Sequence, residues 1–191
     1  MRSKKFYFLL AIMLFLLLLV AGFGYRALSG SYSPDVTDIT PSATRESMQT
    51  LGQAADFTVL DWDGKPVRLA DSIGEPLIVN FWASWCGPCQ SELSAFEDAY
   101  QNYGEQVHFL MVNLTDGSQE TEAGAKEFVS EHAYTFPVLF DTTGSAVTAY
   151  ELYSIPLTVA IDRTGEILVW RVGAMREAEL TQMVNRLLDP S

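Results

Sequence analysis

The chain's two cysteines, Cys86 and Cys89, stand between an apolar run, Leu77-Ile78-Val79-Asn80-Phe81-Trp82-Ala83, and an amphipathic segment from Pro88 to Tyr103. That order reads as a buried strand, a tight turn and a helix, with a Cys-x-x-Cys pair at the join. Such a pair serves as half a zinc site, a structural disulfide or a redox dithiol. Tetrahedral zinc needs four ligands, yet there is no second pair, and His108 and His132 are isolated and far apart. A bridge across so few residues closes too short a loop to constrain an unfolded chain. Redox chemistry explains the flanks as well as the spacing.

The expected geometry gives the two sulfurs different tasks. Cys86 falls at the helix N-terminus, where free backbone N–H groups and the positive end of the helix dipole stabilise a thiolate. Pro88 suits the first helical turn, where its missing N–H costs nothing. Cys89 lies one turn further in and is shielded. The reading is therefore that Cys86 attacks a substrate disulfide and Cys89 resolves the mixed disulfide, with the Cys86–Cys89 pair as the redox centre and no further cofactor.

The run Val79-Asn80-Phe81-Trp82-Ala83-Ser84-Trp85-Cys86-Gly87-Pro88-Cys89 resembles the active site of the thioredoxin superfamily. Asp56-Phe57-Thr58-Val59, followed by Asp63-Gly64-Lys65-Pro66-Val67-Arg68-Leu69, is similar to the opening hairpin of membrane-anchored TlpA/ResA-like thiol-disulfide oxidoreductases. The resemblance runs from about residue 51 to the C-terminus. It implies a thioredoxin-like α/β fold: a mixed central sheet flanked by helices on both faces, with an N-terminal β-hairpin and a central αβ insertion. Ile155-Pro156-Leu157-Thr158 matches the family's cis-proline loop, which faces the cysteines and pairs with substrate; from sequence alone Pro156 also fits an ordinary strand-start proline. The resemblance thus lays Trp85, Gly87, Pro88, Ile155 and Pro156 along the substrate contact.

Cytoplasmic-type thioredoxins carry a buried aspartate where this chain has Asn80, which cannot exchange a proton near neutral pH. Glu92, three residues after Cys89 on the same helical face, matches a glutamate that ResA-like proteins place beside the active site. Two readings stand: a desolvated carboxyl that shuttles the Cys89 proton, or a solvated surface carboxylate. Ser94 occupies a position usually held by proline, so the helix is expected to lack the kink that proline produces. Trp82 reads as core, His108 as near a strand start and His132 as near a helix end.

Location is read from the N-terminus. After basic residues 1–5 comes Phe6 to Tyr25, twenty residues without Asp, Glu, Lys or Arg, long enough to cross a bilayer. Arg2, Lys4 and Lys5 outnumber Arg26, which keeps the N-terminus cytoplasmic and sets the catalytic domain outside the cell membrane as a single-pass protein. A cleaved signal peptide competes, but the run is long and Ala21-Gly22-Phe23-Gly24-Tyr25 is a weak cleavage site. Residues 26–50 read as a Ser/Thr/Pro-rich stalk. The remainder, 51–191, reads as one domain with strands at Val107 to Asn113, Pro137 to Phe140, Leu157 to Asp162 and Glu166 to Val172, and helices at Gln119 to His132, Ser145 to Tyr150 and Arg176 to Leu188.

That domain holds 21 acidic and 7 basic side chains, a formal charge of −14, which argues against nucleic acid as a partner. An exported dithiol needs a donor to stay reduced. The resemblance implies a membrane electron carrier of the CcdA/DsbD type as donor, and as substrates disulfides of exported proteins, foremost the haem-binding Cys-x-x-Cys-His of apocytochromes c. Cytochrome c biogenesis is then the leading process. The alternative is an oxidase that forms disulfides, since about 30 mV in potential changes the equilibrium by 1.4 kcal/mol; Gly87-Pro88 matches the dipeptide of reducing thioredoxins. A thiol peroxidase would need Pro-x-x-x-Thr-x-x-Cys, which is absent, and a copper-delivery protein would need Cys-x-x-x-Cys.

Overall fold

In the computed structural model, which describes residues 51–189 together with Met13, Leu16 and Leu17, the domain opens on a hairpin of β1 (Thr58–Leu60) and β2 (Pro66–Arg68). The residues expected to form the membrane anchor (6–25) and stalk (26–50) otherwise lie outside the described residues. Among those described, no helix is long and apolar enough to cross a membrane. The chain divides into two units at Arg45/Glu46, and every element below belongs to the second. The hairpin turns because Asp61 Oδ1 accepts the N–H groups of Asp63 and Lys65, while Gly64 takes a φ of +79°, a left-handed value glycine adopts at little cost.

After a 3-10 turn, Leu69–Ser72, come β3 (Leu77–Trp82), α1 (Gly87–Tyr103), β4 (His108–Asn113), α2 (Glu122–Glu131), β5 (Val138–Phe140) and α3 (Ser145–Ala149). The chain ends with β6 (Leu157–Ile161), β7 (Ile167–Val172) and α4 (Glu177–Leu188). One mixed sheet results, in the order β2-β1-β5-β4-β3-β6-β7. Strands β3, β4 and β5 run parallel, so helices α1 and α2 serve as crossovers; β6 pairs antiparallel with β3, and β7 antiparallel with β6. This is the thioredoxin-like architecture, with α2 and β5 filling the expected insertion.

Helix α2 begins three residues later than its periodicity suggests. Asp116 Oδ1 holds the N–H groups of Ser118 and Glu120 in a loop, and Thr121 then caps the helix by accepting from Gly124 N–H. Helix α1 continues as one helix through Ser94. His108 opens β4 and His132 caps the end of α2.

All six residues of β3 are buried, and alternation divides them between the two faces of the sheet. Leu77, Val79 and Phe81 join Val112, Leu157, Val159 and Tyr150 beneath α3. Ile78 and Trp82 join Phe96, Phe109 and Val184 beneath α1 and α4. Trp82 is fully buried there, as core. Asn80 is the one polar residue of β3 and falls between Ile78 and Trp82, on the face covered by α1. The β3–β6 register sets it opposite Thr158.

Candidate active site

Strand β3 ends at Trp82, and the turn that follows delivers Cys86 to the N-cap of α1. Cys86 N–H bonds Ala83 O, Gln90 N–H bonds Cys86 O, and Cys86 Sγ accepts from Cys89 N–H at 3.2 Å. The position expected for the nucleophile thus lies at the helix N-terminus and receives Cys89 N–H, the arrangement that stabilises a thiolate. Cys86 and Cys89 are joined as a disulfide. Cys89 is wholly buried, and Cys86 keeps 4% of its surface. Pro88 lies in the first helical turn. At Gly87 an added Cβ would meet no atom within 4 Å, so this residue leaves open surface beside Cys86.

The Ile155–Pro156 bond is cis, and Ile155 O lies 3.9 Å from Cys86 Sγ. Trp85, which precedes Cys86 in the chain, is 53% exposed. Tyr153, 93% exposed, precedes the cis-proline loop, and a groove of about 390 Å³ bordered by Tyr150, Tyr153, Ser154, Leu157, Trp170 and Val172 opens beside that loop. The fold therefore brings Trp85, Cys86, Gly87, Pro88, Cys89, Ile155 and Pro156 to one end of the sheet.

Glu92 is completely buried, which decides between the two readings of its environment. Its position follows from α1 itself, whose inward stripe is Cys89, Glu92, Leu93, Phe96 and Ala99. The carboxyl accepts from Asn80 Nδ2 at Oε1 and from Met175 N–H at Oε2, each at 2.8 Å. Burial raises its pKa to about 7, a rise that these two hydrogen bonds only partly offset. A carboxyl held near neutrality, one turn from Cys89, can take and return a proton at working pH.

Glu120 went unnoticed in the sequence. It is buried in the loop before α2, where Oε1 accepts from Ser84 N–H and Asn113 Nδ2 and Oε2 accepts from Ser84 Oγ. Thr115 Oγ1 in turn donates to Asn113 Oδ1. The carboxylate pins the residue two positions before Cys86, and so fixes the entry to the active-site turn. Glu120→Ala strands these donors, and a loss of about 3 kcal/mol in urea unfolding is expected. Glu120→Gln keeps one acceptor and should lose about 1 kcal/mol; equal losses would contradict this role. Sequence held no signal for it, because an acid at the start of a helix expected from Gln119 reads as a solvated first-turn residue. Among the described residues no three His, Cys, Asp or Glu side chains converge to hold a metal ion.

Residues 51–169 match the family model described as the AhpC/TSA family. The chain belongs to this family. Within the AhpC/TSA group it is similar to the thioredoxin-like protein YneN of Bacillus subtilis, at 32% identity over 146 residues, 76% of this chain and 85% of that one. Similarity to the thiol-disulfide oxidoreductase ResA of Bacillus cereus is 27% over 173 residues, covering 90% and 92% of the two chains. The crystal structure of StoA from Bacillus subtilis superposes with a TM-score of 0.60 at 27% identity, covering 69% of this chain and 97% of StoA. With its disulfide-bonded pair at a helix N-terminus, this AhpC/TSA member is a thiol-disulfide oxidoreductase of the ResA/StoA type.

Proposed function

We propose that the protein reduces disulfides of exported proteins, with Cys86 as nucleophile, Cys89 as resolving thiol and Glu92 as the base for Cys89. The observation that carries the reading is the asymmetry of the pair: Cys86 is the N-cap of α1 and keeps 4% of its surface, while Cys89 keeps none and lies on the same helical stripe as a buried acid. In the reduced enzyme the Cys86 thiolate attacks a client disulfide, forming a Cys86–client bond and releasing one client thiolate. Glu92 carboxylate then takes the proton of Cys89. The Cys89 thiolate attacks Cys86 Sγ, the internal disulfide forms, and the second client sulfur leaves as thiolate. Two electrons pass from enzyme to client, and a donor must return them.

Trp85, Tyr153, Trp170 and Val172 expose apolar surface around this end of the sheet, which suits a polypeptide client. Residues 6–25, flanked by Arg2, Lys4 and Lys5, would hold the domain at the outer face of the cell membrane. There the clients are exported proteins, with the Cys-x-x-Cys-His segment of apocytochromes c foremost, and the donor is a membrane thiol reductase of the CcdA/DsbD type. The reduction potential tests the direction. Equilibrating the full chain with defined thiol buffers should give a value near or below that of thioredoxin, about −270 mV; a value near −120 mV would make the protein an oxidase.

A further inference from the structure

Asn80 uses one atom for two partners and leaves its other polar atom idle. Its Nδ2 donates to Glu92 Oε1 at 2.8 Å and to Thr158 Oγ1 at 3.0 Å, while Oδ1 is buried without a partner. A buried acceptor left alone costs about 1–3 kcal/mol, so its retention calls for a reason. The surroundings supply one. Met175 N–H is fixed on Glu92 Oε2, which keeps that oxygen an acceptor. A proton taken up by Glu92 therefore sits on Oε1, pointing at Asn80. An ionised carboxylate needs a donor at that point, whereas a carboxylic acid offers a donor and needs an acceptor.

We propose that Asn80 is the positioning residue for the Glu92 proton: its amide presents NH2 to the carboxylate and, after a half-turn about Cβ–Cγ, presents C=O to the carboxylic acid. Thr158 permits the exchange, because its hydroxyl accepts from NH2 in the first state and donates to C=O in the second. The same two neighbours are satisfied in both states, while the half of the amide turned away from them, C=O in the first state and NH2 in the second, has no protein partner. Aspartate at this position would offer no donor, and an apolar residue would offer neither. This inference rests on Glu92 acting as the base in resolution, where Cys89–SH and Glu92 carboxylate become Cys89 thiolate and Glu92 carboxylic acid. Glu92 bonds Asn80 on β3 and the Met175 N–H ahead of α4, and Cys89 is the titratable group on the same buried stripe of α1. Asp98, Arg176 and Glu177 line the surface groove beside Met175, and none of them bonds Glu92.

The test is a pair of NMR titrations on the reduced full chain between pH 5 and 9, following the Glu92 carboxyl carbon and the Asn80 side-chain amide nitrogen. Both signals are expected to move with one midpoint, and the Asn80 signal to become independent of pH in Glu92→Gln. In Asn80→Asp, two carboxyls share one proton more tightly. The pH profile of Cys89 attack should then shift upward by about one unit, with a rate at pH 7 about tenfold lower. A Glu92 signal that titrates while the Asn80 amide stays still would overturn the proposal. A Glu92 signal that is flat across the range would instead remove the base assigned to resolution, and this inference with it.

Discussion

The reduced Cys89→Ser protein, mixed with a disulfide-containing polypeptide, is expected to accumulate as a covalent Cys86–client adduct, whereas Cys86→Ser should form no adduct and lose exchange by about 10⁴-fold or more. The asymmetry follows from where the two sulfurs sit. Cys86 is the N-cap of α1, so its thiolate gains from unpaired N–H groups, and Ile155 O is 3.9 Å away on the side from which a client strand would approach. Cys89 is inside the first turn with no exposed surface, and reaches only the sulfur next to it. Serine at position 89 leaves the attack intact but removes the group that releases the client. Serine at position 86 removes the sole sulfur with access to it. Non-reducing electrophoresis shows the adduct and its dissolution by added thiol. Adduct formation by Cys86→Ser at a rate near that of Cys89→Ser would reverse the assignment.

The two exchanges also separate chemistry from folding. Both sulfurs belong to the core layer beneath α1, yet each substitution changes one atom in a site already joined by short backbone contacts. Glu120 holds the same turn through Ser84 and bonds neither sulfur. A damaged turn would therefore slow every step, while a missing sulfur stops one.

What the sequence disclosed, it disclosed through local pattern. The apolar run at β3, the cysteine spacing and Pro88 gave the strand, the turn and the start of α1, whereas the face on which Asn80 lies came from the structure, because both faces of Leu77 to Trp82 are buried. Glu92 was half legible. Its spacing from Cys89, Leu93 and Phe96 puts it within the apolar stripe, but a desolvated and a solvated carboxyl both stay open until the neighbouring elements are in place. The partners that decide its chemistry are distant in sequence: Thr158 lies 78 positions from Asn80, and Met175 lies 83 positions from Glu92. Only the β3–β6 register and the approach of the segment before α4 bring them together. Glu120 was hidden for the same reason, because its value depends on Ser84, 36 positions earlier.

Glu92→Gln should leave the first attack by Cys86 unchanged and slow resolution at pH 7 by about 10²-fold to 10³-fold, the usual worth of a positioned base. Stopped-flow measurement of client release separates the two steps. The same substitution has a thermodynamic signature of definite sign. Glu92 titrates near 7 in the folded protein against an ordinary value of 4.5. Between those values the folded state keeps a proton that the unfolded chain has released, so folding stability falls as pH rises through that window and levels off above it. The loss amounts to about 3 kcal/mol at pH 8. Glutamine carries no such titration, so the variant should match the wild type near pH 5 and exceed it by about 2 kcal/mol at pH 8 in urea unfolding. Subtracting the two pH profiles cancels the other ionisable groups, and a flat difference would mean that the carboxyl is not held protonated. The buried acid therefore costs stability above neutral pH, and that cost has the same physical origin as the proton affinity the proposed resolution step needs: the desolvation that weakens the fold also raises the affinity of Glu92 for a proton.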